Sequence, residues 1–250
     1  MTGLLLNGLA RKFYDLAVSE GEGLGTVYEY LVKYKLLSST ISKNEKPKIL
    51  IAGLPEKYGY SFDFISFCEE CDSDYEIVDE RTAKIDRLKQ IFEKTYSGKV
   101  SVQPHNLCAL DDIYPQGYFD WALSCEVLQR LSPGGQIEYI KSLKKIATRV
   151  ILFVPNGENL KHHTSSGLHA ISKKALMDLL GIVSDYGYND IGYIDMPPWP
   201  PGVKKNIFRG HPAGEKYNII LNILGIVSLA EVTYPLFVRS RYAHLIYVVF

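Results

Sequence analysis

The sequence predicts an α/β fold, a parallel sheet covered by helices on both faces, and three observations carry that prediction. Five short apolar or β-branched runs, KILIAG, YEIVDE, KVSVQ, FDWALS and RVILFVP, recur along residues 48–155. Each is separated from the next by a segment that can form a helix, the alternation expected of a parallel sheet. The runs are almost continuously apolar instead of alternating, as strands buried on both faces must be. A chain of 250 residues suits one globular α/β domain with a small appendage.

The elements follow in order. Leu9 to Leu37 places apolar residues at helical spacing, and EGEGLG at residues 20–25 divides it into two helices, an N-terminal cap over residues 1–45. A polar link, Ser38 to Pro47, leads into a core expected over residues 46–195. Within it, Ser61 to Cys71 puts Phe64, Phe67, Cys68 and Cys71 on one face, and Thr82 to Tyr96 does the same with Ile85, Leu88, Ile91 and Phe92. Pro133 to Ala147 and Ser172 to Tyr186 are two more helices, the second with Ser172 as its N-cap. After Asn189, IGYIDM reads as a strand. PPWPPG, residues 197–202, is a rigid extended turn because four prolines fix φ and remove donors. Tyr217 to Val238 is apolar on nearly every face, and YAHLIYVVF closes the chain as a buried strand, so residues 196–250 complete the sheet. The apolar segment reaches the length of a membrane span, but Asn218, Asn222 and Glu231 interrupt it, so it is expected as a buried or dimer-facing helix and not a span.

Composition narrows the function. Lys plus Arg and Asp plus Glu number 28 each, so the overall charge offers no footprint for nucleic acid or an anionic membrane. Small molecules or other proteins are the expected partners. Four cysteines and the absence of a secretory start at Met1 to Ala10 suit a reducing cytoplasm. Cys68 and Cys71 form CEEC, yet no second CxxC or spaced His pair completes a metal set, so two half-buried helix cysteines and no metal are expected.

In an open parallel sheet, ligands bind beyond the carboxyl ends of the strands. After the first run stands Gly53-Leu54-Pro55-Glu56-Lys57; after the second, Asp79-Glu80, 26 positions from Gly53. A carboxylate near that spacing can accept both ribose hydroxyls of a nucleoside. His105-Asn106-Leu107 follows the third run, where an amide can read an adenine edge, and Ser124-Cys125-Glu126 follows the fourth. Taken singly, an Asp after a strand is most often a helix cap and an Asn in a loop a turn residue; order and spacing carry the weight. His162, His163 and His169 cluster after the fifth strand, where a neutral imidazole can serve as a base toward a substrate; a solvated loop accounts equally well for the first two, and His169 is expected to position the loop before the Ser172 helix.

With these residues in view, the chain resembles the class I S-adenosylmethionine-dependent methyltransferases of the small-molecule type. FDWALSCEVLQRL, Phe119 to Leu131, is similar to that family's fourth-strand motif, and RVILFVPN followed by GLHAISKKALMDLL is similar to its fifth strand, loop and next helix. The resemblance covers Lys46 to about Asp195 and implies a doubly wound, Rossmann-like, mostly parallel seven-stranded sheet whose last strand, near Ala243 to Phe250, inserts antiparallel. It further implies S-adenosylmethionine as cofactor, Asp79 on the ribose, Asn106 with Leu107 on the adenine, and Gly53 opening the loop against the methionine portion. The first motif departs from the pattern: Ile51 stands at an acidic position, and Pro55 and Lys57 stand where glycines belong. Proline removes an N–H and fixes φ, so the loop must follow another path, and Lys57 is a candidate partner for the methionine carboxylate.

Three functions compete on these grounds. The first is methyl transfer to a small-molecule acceptor. The second is a catalytically silent protein of the same fold, a scaffold with residues 217–238 as a homodimer interface. The third, a nicotinamide-dependent oxidoreductase, is disfavoured because Pro55, Glu56 and Lys57 crowd or repel a pyrophosphate. RNA methylation lacks a basic stripe.

Overall fold

The computed structural model describes residues 3–56, 59–95, 100–167, 169–183, 188–197 and 215–250. Seven strands form one sheet: β1 (Ile49–Ala52), β2 (Tyr75–Asp79), β3 (Ser101–Pro104), β4 (Phe119–Cys125), β5 (Ala147–Pro155), β6 (Asp190–Ile194) and β7 (Leu245–Val249). Their spatial order is β3-β2-β1-β4-β5-β7-β6. All pairings are parallel except those of β7, which runs antiparallel to both β5 and β6, with Val154 opposite Ile246 and Tyr193 opposite the same residue on the other side. The expected seven-stranded, mostly parallel sheet with an antiparallel last strand is therefore observed.

Nine helices surround it among the described residues: α1 (Gly3–Ser19), α2 (Leu24–Thr40), α3 (Phe62–Glu70), α4 (Thr82–Thr95), α5 (Pro133–Ile146), α6 (Leu160–Ser166), α7 (Lys173–Val183), α8 (Glu215–Ala230) and α9 (Leu236–Tyr242). Local chemistry sets several ends. Pro133 enters α5 behind Ser132, whose Oγ accepts from the Gly135 N–H at 3.2 Å, the pairing expected of an N-cap followed by proline. Asn159 caps α6 by accepting from the His162 N–H at 3.1 Å, and Gly167 closes it at φ +63°. The apolar stretch Tyr217 to Val238, read as one helix, is broken by a 3-10 turn at Glu231–Thr233 and by Pro235, which starts α9. The proline-rich stretch beyond Pro197 lies outside the described residues.

The pleat divides the core between the two faces of the sheet. Ile49 and Ile51 join the cluster formed with α1, α2, α3, α4 and α8, whereas Leu50 and Ala52 join the cluster formed with α5 and α7. The N-terminal helices are thus part of the main core: Phe13, Tyr30 and Tyr34 are wholly buried and meet edge to face at ring separations of 5.6 and 5.8 Å. Cys68 and Cys71 are buried free thiols of that same layer.

Candidate active site

Strand order reverses between β1 and β4, and the crevice beyond their carboxyl ends is where this topology places ligands. Gly53 opens the loop after β1 at φ +78°, where a Cβ would overlap Val127 Cγ2 and come within 3.0 Å of Leu107 Cδ1. Only glycine satisfies both the left-handed backbone and the close approach. Leu107, expected beside a base, is buried against this turn.

Asp79 is the anchor of the loop. Its side chain is fully buried; Oδ2 accepts from the Leu54 N–H at 2.7 Å and from Arg81 Nη2 at 2.7 Å, and Oδ1 accepts from the Arg81 N–H and Nε at 2.8 and 2.7 Å. Arg130 Nη2 adds a contact at 3.2 Å. Burial raises the carboxyl's pKa, but Arg81, the Leu54 N–H and Arg130 outweigh it and hold it below the usual carboxylate range. Arg130 also pairs with Glu80, which is the more exposed of the two acids. Pro55 is buried, and its carbonyl accepts from Lys84 and from Arg81 Nη2. Burial, with Arg81 beside it, pulls Lys84 down to about 8. Nothing in the sequence singles out Arg81, Lys84 and Arg130, because cations at helix ends normally signal solvated surface. Lys57 lies outside the described residues.

The other predicted positions divide between structural and chemical roles. Asn106 is exposed and caps the 3-10 turn at residues 107–112, its Oδ1 accepting from the Cys108 N–H at 3.0 Å. Ser124 accepts from Tyr139, whose hydroxyl lies 2.7 Å from both Ser124 Oγ and the Ala52 carbonyl, a brace between β4 and β1 behind the crevice. Glu126 is buried directly after β4 at φ +53°, a strained backbone for a non-glycine residue. Its Oε2 has no hydrogen-bond partner among the described residues, and burial, reinforced by Glu29, pushes its pKa up to about 8.

Beneath Glu126 lies a charge that sequence reasoning missed. Lys33 of α2 is fully buried, with Nζ 2.7 Å from Glu29 Oε1, 3.3 Å from Asp63 Oδ2 and 3.4 Å from Cys125 Sγ. Phe64 and Phe153 present ring faces to it at 5.2 and 6.0 Å. Tyr28, Tyr30 and Tyr34 are buried in the same helix and donate to Glu231, Glu20 and Glu70.

Of the histidines after β5, His169 is exposed and His162 and His163 are half-buried, and His162 stacks on His244 at 3.8 Å with the rings 12° from parallel. Burial, followed by His244 and His163, pulls His162 down to about 3, which keeps it neutral. His244 Nδ1 lies 2.9 Å from Asp195 Oδ2, and the His244 backbone N–H donates to the Asp195 carbonyl at 2.8 Å. Asp195 follows β6 at φ +73° and is buried, so Gly53, Glu126 and Asp195 all adopt positive φ at the ligand end of the sheet. Burial alone would lower His244, but Asp195 more than offsets it and raises its pKa. The pairing of a residue after β6 with one before β7 follows from strand insertion, which no local sequence signal announces. Among the described residues no cluster suits a metal ion.

No family model matches the sequence, and no curated protein matches it. Solved structures do match. One is a SAM-dependent methyltransferase from Archaeoglobus fulgidus, 15% identical, with a TM-score of 0.54 over 88% of this chain and 93% of that one. Another is the methyltransferase domain of bacterial CtHen1-CN, 15% identical, TM-score 0.55 over 89% and 97%. A third is geranyl diphosphate C-methyltransferase from Streptomyces coelicolor A3(2), in complex with Mg2+, geranyl diphosphate and S-adenosyl-L-homocysteine, 11% identical, TM-score 0.54 over 87% and 78%. The fold of this chain is that of the S-adenosylmethionine-dependent methyltransferases.

Proposed function

We propose that the protein binds S-adenosylmethionine in the crevice between β1 and β4 and transfers its methyl group to a small-molecule acceptor. The observation that carries this reading is the buried Asp79 carboxylate bonded to the Leu54 N–H at the strand-order reversal, next to the more exposed Glu80. That pair suits a ribose diol once the Arg81 and Arg130 side chains yield their contacts and free acceptor sites on Asp79. Glu126 fits as well: a buried carboxyl oxygen without a partner suits a ligand that brings an ammonium or sulfonium charge. When bound, the cofactor supplies an electrophilic methyl group. The chain's own work is to align the acceptor and exclude water. With Asp195 ionised, His244 donates through Nδ1, which leaves the lone pair on Nε2 to take a proton from an acceptor hydroxyl or amine.

A second reading, a silent member of the fold, draws on the same contacts. Asp79 already receives donors on both oxygens, the Pro55 carbonyl is capped by Lys84 and Arg81, and Gly53 is roofed by Leu107 and Val127. Calorimetric titration of folded, ligand-free protein with S-adenosylmethionine, and separately with NADH, distinguishes them. Saturable binding of the first alone supports methyl transfer, and Asp79→Ala then weakens it by about 1.5 to 3 kcal/mol, the range for hydrogen bonds to charged groups. No binding of either leaves the silent reading.

A further inference from the structure

The outer face of the C-terminal helices is apolar to a degree that folding does not explain. Along α8, one side is buried through Leu221, Leu224 and Ser228, and α8 packs against α1 and α2. The opposite side carries Ile219, Ile223, Ile226 and Leu229, which are 65%, 50%, 66% and 42% exposed. These follow helical spacing, so they form one stripe, and no charged residue stands between Lys216 and Glu231, whose side chain is itself buried. The apolar surface continues onto α9, where Leu236 and Phe237 are 56% and 71% exposed. A face of this kind marks an interaction site.

Charge decides what covers it. The chain is neutral overall, yet from Val232 to Phe250 it contains Arg239 and Arg241 and no Asp or Glu. Both arginines fall in the last turn of α9, after Leu236, Phe237 and Val238; Arg241 is exposed and Arg239 half-buried. A two-fold contact between copies would set this face against itself and bring its arginines together, while the one acid from residue 217 to residue 250, Glu231, is buried. An anionic bilayer surface supplies both missing partners, acyl chains for the stripe and phosphate groups for the arginines. No helix among the described residues is long and apolar enough to cross a membrane, so the helices would lie in the interface plane.

We infer that α8 and α9 form a peripheral docking face for anionic lipid bilayers, carried by the exposed stripe Ile219, Ile223, Ile226 and Leu229 together with Leu236, Phe237, Arg239 and Arg241. The inference stands independently of methyl transfer. It is tested by sedimenting the purified full chain with extruded vesicles of phosphatidylcholine alone or mixed three to one with phosphatidylglycerol, alongside analytical ultracentrifugation. The expected result is a protein that is monomeric without lipid and co-sediments at least tenfold more strongly with the anionic vesicles. That preference falls away at high salt, and the paired substitution Ile223→Asp with Phe237→Asp abolishes binding without altering the melting temperature. Arg239→Gln with Arg241→Gln should remove the anionic preference. Folded protein that ignores both vesicle types overturns the proposal. So does a stable dimer that Ile223→Asp dissociates and that binds no lipid, which would return the face to contacts between copies.

Discussion

Two acidic side chains at the ligand end of the sheet behave oppositely because their surroundings differ. Asp79 sits among two arginines and a backbone N–H and stays ionised; Glu126 sits beside Glu29 with an oxygen unpartnered and holds its proton up to about 8. Glu20, buried against Tyr30, is likewise pushed to about 8, chiefly by burial. A carboxyl whose folded pKa is raised binds more protons folded than unfolded, so its contribution is present at low pH and is lost as pH rises from about 4.5 to about 8. His162 acts in the other direction: with its pKa lowered to about 3, the folded state loses stability as pH falls below its ordinary 6.5. Between pH 6.5 and 8 the carboxyls act against stability without that opposition. The melting temperature should therefore decline over this window, and Glu126→Gln should flatten the decline while Asp79→Asn should not. Calorimetry across the pH range reads this directly. Gly53→Ala is expected to destabilise by roughly 1 to 2 kcal/mol for the left-handed backbone, with about 1 to 3 kcal/mol more for the overlap with Val127. A denaturation midpoint unchanged by the alanine would mean that the loop has room to move.

At the scale of elements, α2 does more than cover the sheet. It carries Lys33 and Glu29 into the layer beneath β4 and meets Asp63 from α3 there, so Lys33 and Asp63 are fully buried with the half-buried Glu29 beside them. Removing one partner leaves the others without compensation. Lys33→Ala is expected to cost about 3 to 5 kcal/mol, while Lys33→Met combined with Asp63→Leu should recover much of it, because a packed apolar pair avoids the desolvation that the ions suffer. Urea titrations of the two variants separate these outcomes. Asp63, pushed to about 6 by burial against the pull of Lys33, is the member whose protonation would soften the loss in the single variant.

For the whole molecule, chain order and spatial order part company at the C-terminus. The last strand of the sequence, β7, lies inside the sheet between β5 and β6, so its hydrogen bonds join an edge strand to the body of the fold. Deleting residues 245–250 should therefore abolish cooperative unfolding and near-ultraviolet dichroism, an effect far larger than that of trimming a frayed terminus. A truncated chain that still melted sharply would show β6 to be dispensable.

The sequence by itself determined the strand and helix alternation, because buried parallel strands need continuous apolar runs and covering helices need a 3.6-residue stripe. It also made Gly53, Asp79 and Glu126 legible as candidates, since Asp79 ends a strand, the other two directly follow one, and ligand-end positions can be counted from strand ends. The residues that modulate them were settled only by the tertiary structure. Arg130 reaches Asp79 from 51 positions away, Lys33 reaches Cys125 from 92, and His244 meets Asp195 only because β7 inserts beside β6. Asn106 shows the reverse case, a candidate base reader that the structure uses as a turn cap. Local pattern fixes where a chain turns and what it buries, but electrostatic partnership between distant residues depends on distance in space, which the packing of strands and helices sets.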